Sequence, residues 1–150
     1  MKGKFVILIA EDDPNDRLLL AEAIKRDRVP TETRVVTDGE EAIKYLRGDG
    51  RYSDGREYPF PDLVMTDLKM PKMNGMEVLE WIRRHPDCAN LPVVILSGSG
   101  LEKDVAEAYR NGARAYFVKP SEFNELQRVV RVIAEHWAAA AAPPLPERCV

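Results

Sequence analysis

The chain has 150 residues, of which 45% are hydrophobic and 31% charged, and its net charge is −3. This is the size and make-up of one globular domain with a full core, and its slight acidity excludes the basic face that non-specific nucleic-acid binding needs. The apolar run near the start is too short for a signal segment or a membrane span, which points to a cytoplasmic protein with no membrane and no nucleic acid as partner.

That run, Phe5-Val6-Ile7-Leu8-Ile9-Ala10, is apolar throughout rather than alternating, the pattern of a strand buried on both faces. Glu11, Asp12 and Asp13 follow it. Asp13 before Pro14 predicts a capped helix, with Leu18, Ala21 and Ile24 on its inward face. Arg34-Val35-Val36-Thr37 predicts a second strand, and Ala42, Ile43 and Leu46 a second helix from about Gly39. Leu63-Val64-Met65-Thr66 is the third strand and ends at Asp67. Met76, Leu79, Ile82 and Arg83 belong to a third helix that stops before Pro86. Val93-Val94-Ile95-Leu96 is a fourth strand, Glu102 to Arg110 a helix closed by Asn111-Gly112, and Ala115-Tyr116-Phe117-Val118 a fifth strand. The last helix starts near Ser121 and puts Phe123, Leu126, Val129, Val130, Ile133 and Trp137 on one face. Strand and helix alternate five times, which predicts an α/β domain over residues 1–137. Its parallel sheet carries helices on both sides and right-handed crossovers.

Two segments lie outside the alternation. Residues 48–61 form a long loop ahead of the third strand, at the amino ends of the strands. Residues 138–150 extend the last helix and then run into Pro143-Pro144-Leu145-Pro146, a tail expected to be disordered. Cys88 and Cys149 match no metal spacing and are expected to be free thiols in a reducing cytosol. His85 and His136 have no paired base or ligand spacing.

Sites in parallel α/β sheets form at the carboxyl ends of the strands. There the order of the chain puts Glu11, Asp12 and Asp13, then Asp67, Ser97 and Lys119. Two carboxylates about 4 Å apart repel by roughly 4 kcal/mol at an effective dielectric of about 20, so such a cluster calls for a cation. Oxygen ligands with room for water suit Mg²⁺. Asp67 is then a carboxylate nucleophile able to form an acyl phosphate. Lys119 is a donor to the transferring phosphoryl group and Ser97 a hydroxyl that can bind it. Singly these residues are weak signals, since a lone Asp after a strand is usually a helix cap; their joint placement carries the reading.

The pieces Ile7-Leu8-Ile9-Ala10-Glu11-Asp12-Asp13-Pro14, Asp67-Leu68-Lys69-Met70-Pro71-x-Met73-x-Gly75, Ser97, and Gly112-Ala113-x-x-Tyr116-x-x-Lys119-Pro120 resemble a two-component response-regulator receiver domain (CheY-like). The likeness runs from about Lys4 to Trp137. It implies a flavodoxin-like (βα)5 doubly wound fold with strand order 2-1-3-4-5. It also implies a phosphoacceptor signalling protein rather than an enzyme. Carried over, Asp67 is the phosphoacceptor, Glu11, Asp12, Asp67 and the Lys69 carbonyl hold Mg²⁺, Asp13 caps, and Ser97 and Tyr116 are the switch hydroxyl and aromatic. The Lys119-Pro120 bond is implied to be cis. The implied donor is a sensor histidine kinase, and the signal leaves by protein contact or onward phosphotransfer. The long loop and the lone receiver are similar to the small regulators of bacterial phytochrome kinases. A homodimer through helix four, strand five and helix five is a further expectation, with Ile133 and Trp137 as candidate contacts.

Three other readings fit the same residues less well. A flavin carrier of this architecture needs a phosphate loop after the first strand, where this chain has three carboxylates. An aspartate-nucleophile phosphatase needs a second Asp two residues after the first, where this chain has Lys69. A receiver that never takes phosphate would lack chemical residues that are all present here.

Overall fold

The computed structural model describes residues 4–139 and 145–149. Every second residue of a strand points to the same face, and the first strand shows what this does with a continuous apolar run. Ile7 and Ile9 enter one core, while Leu8 and Ala10 enter another on the opposite face of the sheet. The elements are β1 (Phe5–Ala10), α1 (Pro14–Lys25), β2 (Thr31–Val36), α2 (Gly39–Arg47), β3 (Leu63–Thr66), α3 (Gly75–Arg83), β4 (Val93–Ser97), α4 (Glu102–Arg110), β5 (Ala115–Val118) and α5 (Phe123–Ala139). All strand pairs are parallel and the order is β2-β1-β3-β4-β5. This is the flavodoxin-like (βα)5 arrangement implied by the resemblance. One core lies under α2, α3 and α4 and the other under α1 and α5.

Boundaries and faces depart from expectation in a few places. β2 starts at Thr31, earlier than the apolar Val35-Val36 pair suggests, because its register with β1 begins at Phe5 opposite Thr31. α1 buries Leu20, Ala23 and Ile24, whereas Leu18 is 71% exposed. Three consecutive leucines leave the phase of the helix open, and packing against Leu126, Val130 and Ile133 of α5 sets it. α5 itself begins at Phe123 rather than Ser121. Ile133 is fully buried, which removes it as a contact with a second copy, while Trp137 packs against the same core and is only partly buried.

The segment over residues 48–61 has structure of its own. It contains a 3₁₀ turn (Gly50–Ser53) and brings Tyr52 and Tyr58 against Tyr45 of α2, with ring centroids 5.0–5.9 Å apart. The Tyr45 hydroxyl donates to the Pro59 carbonyl at 2.7 Å, and Tyr52 donates to Glu41 at 3.0 Å. These aromatic rings supply the buried area that a plain loop would lack.

The tail and the cysteines correct two further expectations. Residues 140–144 lie outside the described residues, but residues 145–149 fold back rather than being disordered. Leu145 packs against the α2–α3 core and the Cys149 N–H donates to the Leu46 carbonyl at 2.7 Å. Cys88 and Cys149 are both fully buried and joined in a disulfide, with Cα atoms 6.0 Å apart, so they are not free thiols. Pairing over a sequence separation of 61 is a tertiary contact that spacing alone does not encode. Between the returning tail and the tyrosine segment lies a cavity of about 410 Å³, lined by Tyr45, Tyr52, Tyr58, Phe60, Pro146 and Arg148 among others.

Candidate functional site

The ladder hydrogen bonds run one residue past the strand ends, and this places the site. The Glu11 N–H donates to the Val36 carbonyl (3.0 Å), Asp67 to Ala10 (3.1 Å) and Lys119 to Ser97 (2.7 Å). Each residue therefore stands one step beyond its strand with its backbone still held by the neighbour. β1, β3 and β4 adjoin in the sheet, so Glu11, Asp67 and Ser97 lie along one edge.

Lys119 is the hub. Its Nζ lies 2.6 Å from Glu11 Oε1, 2.7 Å from Asp67 Oδ2 and 2.7 Å from Asp16 Oδ2. Burial of the ammonium works to lower its pKa, and the hydrogen bonds to Asp16, Asp67 and Glu11 outweigh it, so the lysine is held charged well above its usual range. Glu11 is only 2% exposed. Burial raises its carboxyl above the ordinary value of 4.5, and the Lys119 bond and the Asp13 N–H offset part of that rise. Asp67 Oδ1 accepts the Leu68 N–H at 2.6 Å.

One oxygen from each of Glu11, Asp12 and Asp67 falls within a 4.8 Å group. Three carboxylates this close, one exposed and two nearly buried, match the all-oxygen donor set that a hard divalent cation takes. Asp12 and Lys69 also line one opening of about 570 Å³ beside the cluster, with Leu68, Met70, Pro71 and Asn74. Asp13 stands outside the cluster and caps α1, accepting the Asn15 and Asp16 N–H groups at 2.8 and 3.1 Å. Arg17 donates to the Glu11 and Asp12 carbonyls (3.0 and 2.8 Å), which fixes the turn that carries both acids.

The loop from Asp67 to α3 is held by close backbone approaches. Gly75 donates to the Leu68 carbonyl at 2.9 Å, and a Cβ at Gly75 would lie 2.1 Å from the Asp67 carbonyl oxygen. Gly39 in α2 donates to the Met73 carbonyl at 2.9 Å, and a Cβ there would also sit 2.1 Å from that oxygen. Lys72 between them adopts φ 65°, a left-handed conformation costing a non-glycine residue about 1–2 kcal/mol.

Ser97 and Tyr116 are near one another through Ser99 rather than through the acids. The buried Ser97 Oγ accepts the Ser99 N–H at 3.2 Å, and the Tyr116 hydroxyl donates to the Ser99 carbonyl at 2.7 Å. Ser99 Oγ in turn donates to Asp104 of α4 at 2.5 Å. Among the described residues there is no cis peptide bond, so Lys119-Pro120 is trans and the cis form implied by the resemblance is not present. Asp16 is the site residue that sequence reasoning missed. On its own it reads as a polar first-turn residue, and only the fold brings it to a lysine 103 positions away.

The response regulator receiver domain family matches residues 7–131. The chain belongs to that family. Receiver domains are phosphoacceptor signalling proteins rather than turnover enzymes, and this receiver shares their phosphotransfer signalling role. Among solved structures it is similar to the phosphorylated cyanobacterial phytochrome response regulator RcpA (36% identity, TM-score 0.86, covering 95% of this chain and 100% of that one). It is also similar to response regulator RPA3017 in red light signaling of R. palustris (34%, TM-score 0.87, 93% and 98%). A third is the Mn²⁺-bound form of response regulator Rcp1 (33%, TM-score 0.81, 93% and 99%), a protein of Synechocystis sp.. The receiver is thus closely related to phytochrome-associated regulators. Among its described residues no helix is long and apolar enough to cross a membrane.

Proposed function

We propose that this receiver is a cytoplasmic response regulator whose Asp67 accepts a phosphoryl group from a sensor histidine kinase of phytochrome type, with Mg²⁺ at Glu11, Asp12, Asp67 and the Lys69 carbonyl. The observation that carries it is the convergence of Asp67, Glu11 and Asp12 with the Lys119 ammonium, 2.7 Å from Asp67. Relatives solved phosphorylated and with Mn²⁺ bound support the same chemistry. So do the phytochrome and red-light roles in their names.

In this reading a carboxylate oxygen of Asp67 forms the new O–P bond as the N–P bond of phosphohistidine breaks. The leaving imidazole takes its proton from solvent. The metal, when bound, supplies charge neutralisation for the phosphoryl oxygens. Lys119, kept charged, donates to the same group from the other side, and the Ser97 hydroxyl exchanges its Ser99 contact for a phosphoryl oxygen. Tyr116 follows Ser99, to which it is bound, so the change reaches α4, β5 and α5. Output is a population shift: phosphate must bind the active arrangement better than the inactive one. That output leaves by protein contact or onward phosphotransfer. Exposed Tyr109, Val118 and Val132 (49%, 51% and 55%) favour the α4–β5–α5 face as the contact between two copies.

Incubation with acetyl phosphate and Mg²⁺, read by intact mass, tests the reading. An acid-labile phosphoryl adduct is expected in the wild type and is lost in Asp67→Asn. No adduct, or an equal one in the variant, would overturn Asp67 as acceptor.

A further inference from the structure

We propose that Asp16 is a positioning residue for Lys119, the carboxylate that keeps the ammonium in place while Glu11 and Asp67 turn toward a divalent cation; this rests on the phosphotransfer reading above. An ammonium has three N–H groups, and Glu11, Asp16 and Asp67 accept from Lys119 at 2.6–2.7 Å. Two of these acceptors, Glu11 and Asp67, also belong to the group of carboxylates close enough to share a cation, and Asp16 does not. Glu11 and Asp67 therefore serve two positive charges, and Asp16 serves Lys119 alone. Without Asp16 the ammonium would lean wholly on Glu11 and Asp67 and compete there with the cation.

The local structure is built to hold it. Asp16 stands in the first turn of α1, and its N–H is bound by the Asp13 cap at 3.1 Å, so its backbone is fixed before the side chain reaches out. An acidic residue in a first turn is already favoured by the helix dipole. If that were its whole role its carboxylate would lie in water; instead the side chain is only 33% exposed and bound to the far end of the chain. Three carboxylates (Glu11, Asp16 and Asp67) contact one ammonium, and Asp12 is grouped with two of them, so removal of Asp16 changes the field as well as the contact. The test has to separate the two effects.

A double-mutant cycle does so, with the Mg²⁺ dissociation constant measured by titration calorimetry in wild type, Asp16→Asn, Lys119→Met and the double variant. Asp16→Asn is expected to weaken Mg²⁺ by about tenfold when Lys119 is present, the scale of one charge-assisted hydrogen bond, and to have little effect when it is absent. Asp16→Glu is expected to recover most of the affinity. Melting curves without metal check that each variant is folded. An equal loss in both backgrounds would mean that Asp16 acts only by its charge and would overturn the proposal, as would no loss in either. A wild type that takes phosphoryl and binds Mg²⁺ keeps the phosphotransfer reading intact in those cases. A wild type that does neither overturns both.

Discussion

The Tyr116 hydroxyl donates to the Ser99 carbonyl at 2.7 Å and so ties β5 to the loop that leads into α4. Tyr116→Phe removes this bond and leaves the ring in place. The expected cost is about 1 kcal/mol, together with faster amide hydrogen exchange over residues 98–101. Unchanged exchange there would show that the Ser99–Asp104 bond holds the loop alone.

Removing the disulfide should be costlier. For a closed loop of this size, with a separation of 61, the chain-entropy account gives about 4 kcal/mol. Cys149→Ser, or treatment with a dithiol, is expected to lower the melting temperature in a scanning calorimeter. Thiol titration of the denatured, unreduced protein should find no free thiol; two would show the pair open in solution.

Gly75→Ala would drive a methyl group into the Asp67 carbonyl, 2.1 Å from its oxygen. Backbone cannot yield as a flexible side chain can, so a loss of about 1–3 kcal/mol is expected. It should appear as a lower urea midpoint at unchanged slope. Labelling of Asp67 by acetyl phosphate should slow as well, because the displaced carbonyl belongs to that residue. Labelling at the wild-type rate would show that the loop absorbs the methyl group without moving the carboxylate.

Alkaline pH should unfold the domain early. Burial pushes the Tyr45 hydroxyl well above its ordinary 10.0. Tyr52 is raised too, by burial and by the bond to Glu41, against the lowering effect of Arg51. Above 10.0 the unfolded chain loses these protons while the folded chain keeps them, so stability falls as pH rises. Lys119 adds to this above 10.5, where the unfolded lysine has given up its charge and the folded one has not. Urea midpoints measured at neutral pH and above 10.5 check the sign; equal midpoints would contradict it.

The strand ends were legible because their chemistry is out of place: Glu11, Asp67 and Lys119 each follow an apolar run that ought to continue or turn. The helix faces were legible where apolar residues recur at helical spacing, as in α5, and not where Leu18, Leu19 and Leu20 follow one another. Asp16 was hidden because a first-turn carboxylate has an adequate local explanation, so nothing in the chain asks for Lys119. The cysteine pair and the three tyrosines were hidden for a common reason. Their contacts form between segments whose local pattern is irregular, and periodicity carries no information there.

Joining Cys88 to Cys149 makes a covalent macrocycle that contains β4, α4, β5 and α5 and leaves β1 through α3 as a linear arm. One backbone cut inside the cycle, such as a protease nick at residues 98–101, separates nothing: the two fragments part only on reduction. The fragment that carries Tyr116 and Lys119 thus stays linked to the fragment that carries Asp67 and Ser97, even with the loop between them cut.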